Sequence, residues 1–226
     1  VTADFNADRV HLLDRVGQNY LFRGPVPISS AGSFDIDELQ KTLAKVAASE
    51  GNVTLPQQYQ MVDISFLNMI KPSEASDLKA EKAFWAAANA SSSPPGWLVS
   101  WPIIGSLISP NSYPKSVMRE MAKTINTWQL DKLPDKMAAV RQLLESQPGD
   151  AAAVGLGGSA GPAGAFSSLL PKLSASLPTV VYWHCEAGVD RTGEMSGCYA
   201  MRYKNVTYPD ALAFNNHVEA RDMAKD

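Results

Sequence analysis

The sequence predicts an α/β fold in which a central, mainly parallel sheet is flanked by helices. Residues 61–67 are typical of a buried strand, residues 76–90 of an alanine-rich helix, and residues 97–104 of a second strand. A strand, a helix and a strand in this order indicate a parallel pair joined by a right-handed crossover. The β-branched and aromatic residues 179–183 predict a further buried strand, and residues 192–204 predict a helix soon after it.

Helical patterns fill much of the chain between the predicted strands. Residues 34–48 place apolar side chains at positions 36, 39, 43 and 46, which is the spacing of one helix face. We predict further helices over residues 115–128, 133–147 and 166–176. Residues 148–165 are rich in Gly and Ala and predict a flexible surface loop.

Length and composition indicate one compact domain over residues 1–226. The chain has 226 residues, of which 45% are hydrophobic, and this is enough to bury a sizeable core. We interpret residues 115–165 as a possible helical lid and flexible loop inserted into this domain. The 20 basic and 23 acidic residues give a formal net charge of −3 without a basic patch, which argues against a nucleic-acid partner.

The sequence is compatible with more than one cellular compartment. No apolar run approaches the length of a membrane-spanning helix, so we expect a soluble protein without a transmembrane segment. Three N-glycosylation sequons begin at Asn52, Asn89 and Asn205, and the first residue is Val1 and not Met. These features are compatible with an exported protein as well as a cytoplasmic one.

The two cysteines, Cys185 and Cys198, do not provide a disulfide framework. Cys198 falls inside the predicted helix 192–204, where we expect a small core residue. The alternative is a redox partner for Cys185.

The most informative segment is residues 184–193, with the sequence His-Cys-Glu-Ala-Gly-Val-Asp-Arg-Thr-Gly. It places Cys185 and Arg191 at the two ends of one tight loop between the predicted strand and helix. Successive backbone N–H groups of residues 186–191 can form an anion-binding nest, and the positive end of the helix dipole points at the same place. Such a field favours the thiolate, which is the nucleophilic form of cysteine. The planar guanidinium of Arg191 matches two oxygens of a phosphate group.

The order His-Cys, five residues, Arg and Thr resembles the signature of the protein tyrosine phosphatase superfamily. The resemblance implies a phosphatase P-loop between the last strand and the following helix, with Cys185 as nucleophile and Arg191 as anion clamp. It also implies a phosphocysteine intermediate and a reaction without cofactor or metal. The residues that would contact the substrate are Glu186, Ala187, Gly188, Val189, Asp190, Arg191 and Thr192. Two other interpretations of the loop stay open: a buried structural thiol, and a pseudophosphatase module that binds phosphate without turnover.

The residue that protonates the leaving group is less clear. The family carries an aspartate in a mobile loop after the second strand, but residues 103–114 contain no acid. Asp190 is the preferred candidate, because its Asp-Arg-Thr-Gly context resembles broad-specificity bacterial phosphatases, and its Asp-Arg-Thr part resembles the myotubularin and Sac lipid phosphatases. Its alternative role is to favour the start of the helix. Asp150, in the Gly-rich loop, is the rival candidate.

Several isolated residues also carry predictions. His184 is expected to order the loop by hydrogen bonding. Arg23, in a Phe-Arg-Gly segment that resembles compact dual-specificity phosphatases, is expected to form a structural ion pair, with phosphate contact as the alternative. Asp63 takes the place of an Asp-Leu-Arg element of these phosphatases, but the arginine is missing here.

The substrate prediction has two branches. A phosphorylated protein, in a tyrosine or dual-specificity reaction, is the default. A phosphorylated inositol or lipid is the alternative, because the Cys-Glu-Ala-Gly-Val sequence is similar to the loop of cysteine phytases. Glu186 and Asp190 weaken the attraction for highly charged anions, so such a substrate would require cations from elsewhere, such as Lys115, Arg119 or Arg23.

Overall fold

A computed structural model describes residues 5–69, 71–90, 96–103, 133–146, 173–174 and 176–219. Several predictions from the sequence lie outside the described residues. They are the positions of Lys115, Arg119 and Asp150, the helix over 115–128, the loop over 148–165 and most of the helix over 166–176.

Five strands form one sheet. They are β1 (His11–Val16), β2 (Asn19–Pro25), β3 (Gln60–Ser65), β4 (Gly96–Ser100) and β5 (Thr179–Cys185), in the spatial order β1-β2-β5-β3-β4. β1 is antiparallel to β2, whereas every other neighbouring pair is parallel. The predicted α/β class with a mainly parallel sheet is confirmed.

The described helices are α1 (Ile36–Gly51), α2 (Pro72–Ala90), α3 (Leu133–Glu145), α4 (Asp190–Tyr203) and α5 (Tyr208–Glu219), with a short 3-10 helix at Ala7–Arg9. α1 begins two residues later than predicted because the side chain of Asp35 caps it, accepting a hydrogen bond from Glu38 N at 3.0 Å. α2 begins earlier than predicted, with Pro72 at its first position, where proline is well tolerated. None of the described helices is both long enough and apolar enough to cross a membrane.

The hairpin of β1 and β2 was not predicted from the sequence. Val16 pairs with Asn19, so that residues 17 and 18 make the turn, and Gly17 has a positive φ of 60°. Polar side chains interrupt the apolar alternation of both strands, because Asp14, Asn19 and Arg23 are all buried. Their partners lie far away in the sequence, and the local pattern therefore gives little indication of the strands.

The sheet is covered on both faces. Val180 and Tyr182 of β5 pack into one core with residues of α1 and α2, such as Leu39 and Trp85. The alternate residues of β5, Val181, Trp183 and Cys185, pack into a second core whose helical members are Met137, Val140, Leu143 and Leu144 of α3 and Met195 and Tyr199 of α4. Burial of both faces explains why β5 is a continuous apolar run.

This topology places the carboxyl end of β5 between the carboxyl ends of β2 and β3. Pro25 pairs with Cys185, and Ser65 pairs with His184. Ligands of open α/β sheets bind at this edge, outside the carboxyl ends of the strands. The loop that follows Cys185 lies at the middle of this edge.

Candidate active site

The loop between β5 and α4, residues 186–189, turns its backbone carbonyl groups away from its centre. The N–H of Val26 donates to the carbonyl oxygens of Cys185 and Glu186, at 2.8 and 3.3 Å. Two arginines hold the next carbonyls: Arg9 Nη1 donates to that of residue 187 at 3.1 Å, and Arg23 Nη2 donates to that of residue 188 at 2.8 Å.

The N–H groups of the same peptides face the other way. A carbonyl and the N–H that follows it point in opposite directions across a trans peptide, and no cis peptide bond occurs among the described residues. The N–H groups of residues 186–189 therefore point toward the loop centre. For residues 186–188, no described group accepts a hydrogen bond from these N–H groups. The arrangement is that of an anion-binding nest.

Gly188 makes the tight turn of the loop possible. Its φ is +71°, a conformation that glycine adopts without strain. A Cβ at this position would overlap the backbone of Gly24 and Pro25, at the end of β2. The loop thus lies directly against β2, and only glycine fits there.

The thiol of Cys185 lies at the base of this nest and is 2% exposed. Burial alone would raise the pKa of the thiol, but the Arg191 charge, the Thr192 hydroxyl and the backbone N–H groups of Thr192 and Val189 outweigh it. The pKa of Cys185 is therefore lowered, which favours the thiolate. Thr192 Oγ1 is fully buried, and its hydroxyl is one of the groups that lower the pKa of Cys185.

Arg191 is fixed by a carboxylate that the sequence analysis did not single out. Its Nη1 and Nη2 donate to Glu74 Oε2 and Oε1, both at 2.8 Å, and both side chains are almost completely buried. Nη1 also donates to the carbonyl oxygens of Phe66 at 3.1 Å and Ile103 at 3.2 Å. No described residue accepts the Nε proton. The Nε edge of the guanidinium is therefore the one that remains for an anion.

Glu186 is held at the amino end of α2. Ser73 Oγ donates to Glu186 Oε1 at 2.9 Å, and the ammonium of Lys71 pairs with Glu186 Oε2. The Lys71 side chain is 45% exposed. The negative charge that the sequence places directly after the cysteine is thus paired with a cation, and its repulsion of an incoming anion is reduced.

His184 connects the end of β5 to α2 and β3. Its Nε2 lies 2.7 Å from Glu81 Oε1 and 3.2 Å from Asp63 Oδ1, and all three side chains are fully buried. Burial alone would lower the pKa of His184, but the two carboxylates raise it to about 10. His184 is therefore an imidazolium that anchors the base of the loop, and its hydrogen bonds go to neighbouring elements.

Asp63, Glu81 and His184 also form the one group of at least three described residues whose atoms could together hold a metal ion. The spacing of these residues in the sequence did not predict the cluster. Nε2 lies within hydrogen-bond distance of both carboxylates, and a proton fits such distances. A hydrogen bond accounts for the 2.7 Å distance between Nε2 and Glu81 Oε1.

Arg23 has a structural role, but it forms no ion pair with any of the described residues. Its Nη1 donates to Asn215 Oδ1 at 2.7 Å and its Nη2 to the carbonyl of Gly188, so both described partners are neutral. The side chain is 0% exposed, and burial lowers the pKa of Arg23 to about 10. A completely buried guanidinium that already supports the loop from outside is not placed to contact a bound phosphate.

Three other residues were singled out from the sequence, and each has a different outcome. Asp190 is half-buried as the first residue of α4, and its role as proton donor stays a prediction. Cys198 packs against the core that contains Cys185, in agreement with a structural role, and burial raises the pKa of its thiol. Asp150 lies outside the described residues.

α2 contributes an acidic face that the sequence analysis missed. Glu74, Asp77 and Glu81 are spaced by three and four residues, which places them on one side of a helix. All three are buried, at 3%, 4% and 0% exposure. Acids at this spacing normally form a solvated helix face, so the spacing alone did not indicate that these three are buried.

Comparison with known families and with curated protein sequences finds no significant match to this chain. The relationship to the protein tyrosine phosphatase superfamily therefore depends on residues 184–193 and stays a prediction.

Proposed function

We propose that this protein is a phosphomonoester hydrolase that acts through a phosphocysteine on Cys185. The observation that carries the proposal is the loop itself. A thiol with a lowered pKa lies at the base of a nest whose carbonyl groups are bound outside and whose N–H groups point inside.

The mechanism follows from these groups. The oxygens of the phosphate accept hydrogen bonds from the loop N–H groups and from the Nε edge of Arg191, which stabilises the charge that develops in the transition state. The Cys185 thiolate attacks phosphorus, the bond to the leaving oxygen breaks, and the leaving oxygen takes up a proton. Water then attacks the phosphocysteine, and the thiolate leaves with release of inorganic phosphate.

For the substrate, we propose a phosphorylated protein, in a tyrosine or dual-specificity reaction. Inositol phosphate or phosphoinositide hydrolysis is the second candidate, and Lys71 favours it. This half-exposed cation pairs with Glu186 beside the nucleophile, at a place where a second phosphate group of the substrate would need one.

The proposal is tested with a panel of phosphotyrosine and phosphoserine peptides, phosphoinositides and inositol polyphosphates, assayed for released phosphate. We expect turnover of at least one class, and loss of that turnover to background in the Cys185→Ser variant. Cys198→Ser is the matched control, because it removes the other thiol and is expected to retain activity.

Two outcomes would contradict the proposal. Phosphate binding without turnover of any substrate would indicate a pseudophosphatase module. Turnover that survives in Cys185→Ser would exclude the phosphocysteine.

A further inference from the structure

We propose that Asp77 is the group that donates the proton to the leaving oxygen. The inference rests on the function proposed above, because an alkoxide leaving group requires a proton near neutral pH. The sequence points to Asp190 for this role, whereas the structure places a different carboxyl group against the loop.

The position of Asp77 follows from its two neighbours on the acidic face of α2. Glu74, one turn before it, binds both Nη atoms of Arg191, and Glu81, one turn after it, binds His184. Arg191 and His184 belong to the two ends of the segment that contains Cys185. Asp77 therefore faces the loop between its two anchoring points.

A second contact brings α2 close to the residue after the nucleophile. Ser73 and Lys71, at the amino end of α2, bind the carboxylate of Glu186. This residue follows Cys185 directly. The amino-terminal half of α2 thus lies along the cysteine side of the loop.

The side chain of Asp77 differs from its two neighbours in having no hydrogen-bond partner among the described residues. Glu74 and Glu81 each accept bonds from a cationic side chain, but Asp77, at 4% exposure, accepts none. An ionised carboxylate that is buried without a donor is costly, whereas the protonated carboxyl is far less so. The site therefore raises the fraction of Asp77 that carries a proton to donate.

Burial and the neighbouring carboxylates also raise the pKa of Asp77. Burial raises the pKa of Asp77 most, and the carboxylates of Glu186 and Glu74 raise it further. The Lys71 ammonium and the His184 imidazolium oppose this, and the resulting pKa is about 6. An aspartate with an ordinary pKa of about 4 retains a proton in only about one molecule in a thousand at pH 7. A group that titrates near the working pH is the better acid.

The proton balance of the two steps is complete. When the Cys185 sulfur attacks phosphorus, the P–O bond breaks, the Asp77 proton moves to the leaving oxygen, and Asp77 becomes a carboxylate. When water attacks the phosphocysteine, this carboxylate takes a proton from the water, the S–P bond breaks, and the thiolate and inorganic phosphate are formed.

The test compares Asp77→Asn, Asp190→Asn and the exposed control Asp37→Asn on phenyl phosphate and 4-nitrophenyl phosphate. Phenolate requires a proton, whereas 4-nitrophenolate leaves readily without one. We expect Asp77→Asn to lower kcat/KM for phenyl phosphate by about 10²–10⁴-fold, but kcat/KM for 4-nitrophenyl phosphate by less than about 10-fold, because kcat/KM reports the step in which the leaving oxygen departs. It should also abolish the basic limb of the pH profile of kcat/KM, while Asp37→Asn changes neither.

The inference is overturned if Asp77→Asn retains the basic limb of the pH profile. It is also overturned if Asp190→Asn loses this limb, because Asp190 would then be the proton donor. Asp77→Asn is expected to fold, because it removes a negative charge from beside Glu74 and Glu186. Asp77→Ser repeats the kinetic comparison with a smaller side chain. Cys185→Ser separates this result from the proposed function. If that variant is inactive and Asp77→Asn behaves as wild type, only the role of Asp77 fails, whereas an active Cys185→Ser contradicts the hydrolase mechanism itself.

Discussion

The guanidinium of Arg191 combines two tasks that place opposite demands on a side chain. It must be mobile enough to receive a phosphate, but its geometry must be fixed so that the phosphate is met in one orientation. The bidentate pair with Glu74 fixes it, since both Nη atoms lie 2.8 Å from carboxylate oxygens. Orientation in advance of binding lowers the entropy that the transition state must lose.

We predict that Glu74→Gln lowers kcat/KM for 4-nitrophenyl phosphate by about 10–100-fold. The amide retains one acceptor for Arg191 but loses the charge-assisted pair, for which about 1.5–3 kcal/mol is typical. The affinity for inorganic phosphate as a competitive inhibitor should weaken by a similar factor. Steady-state kinetics of both quantities provide the measurement.

Glu145→Gln is the control for this variant, because Glu145 forms an ion pair with Arg141 but its side chain is 52% exposed. It should leave both quantities within about twofold, since exposed pairs contribute little. Wild-type kinetics in Glu74→Gln would show that Arg191 is oriented by other contacts.

The sequence predicted the helix α2 but not the contacts that its acidic side chains make. The alanine-rich pattern identified the helix but placed its start at residue 76, so Glu74 was left outside. The functions of Glu74 and Glu81 were not visible because Arg191 and His184 are more than a hundred residues away in the sequence. An acidic face is normally solvated, and only the parallel arrangement of β3, β4 and β5 places this one against the loop.

The buried charges between α2 and β5 predict a pH-dependent stability. The pKa of His184, raised from 6.5 to about 10, means that folding favours the imidazolium. The stabilisation is complete below pH 6.5 and is lost as the pH rises through about 10. Burial also raises the pKa of Glu81 from 4.5 to about 7, so its titration lowers the stability in a more acidic window, between pH 4.5 and about 7. The free energy of unfolding in urea should therefore fall from pH 4.5 to about 7 through Glu81 and from pH 6.5 to about 10 through His184.

Glu81→Gln should reduce this pH dependence and lower the free energy of unfolding by about 3 kcal/mol at pH 6.5, as expected for breaking a buried pair. Glu38→Gln, which removes an exposed pair with Lys41, is the matched control and should alter neither quantity. An unchanged slope in Glu81→Gln would mean that Glu81 does not raise the pKa of His184.

For the whole molecule, the sequence predicted the class of fold because it depends on local signals. The apolar run of β5 and the pattern of α1 are visible without any tertiary partner. The β1-β2 hairpin was missed because Asp14 and Asn19 are polar residues in buried strands, and they are satisfied only at long range. Asp14 accepts from Tyr199 and Arg141, and Asn19 donates to the carbonyl of Leu144.

The same distinction applies to the site. Cys185, Arg191 and Thr192 lie within one short segment, and their grouping follows from the sequence alone. The support for that segment comes from Arg9, Arg23, Lys71 and the acidic face of α2, which only the assembled sheet brings to its edge. The candidate nucleophile was therefore predictable, whereas the residues that orient it and the proposed proton donor were not.

Trapping the phosphocysteine intermediate shows whether Cys185 becomes phosphorylated during turnover. The protein is mixed with 4-nitrophenyl phosphate, quenched within one turnover in an alkaline denaturant, in which the S–P bond is stable, digested and analysed by mass spectrometry. We expect one phosphoryl group on Cys185, none on Cys198, and none anywhere in Cys185→Ser. Turnover without a phosphorylated Cys185, or with the label on another residue, would contradict the proposed mechanism.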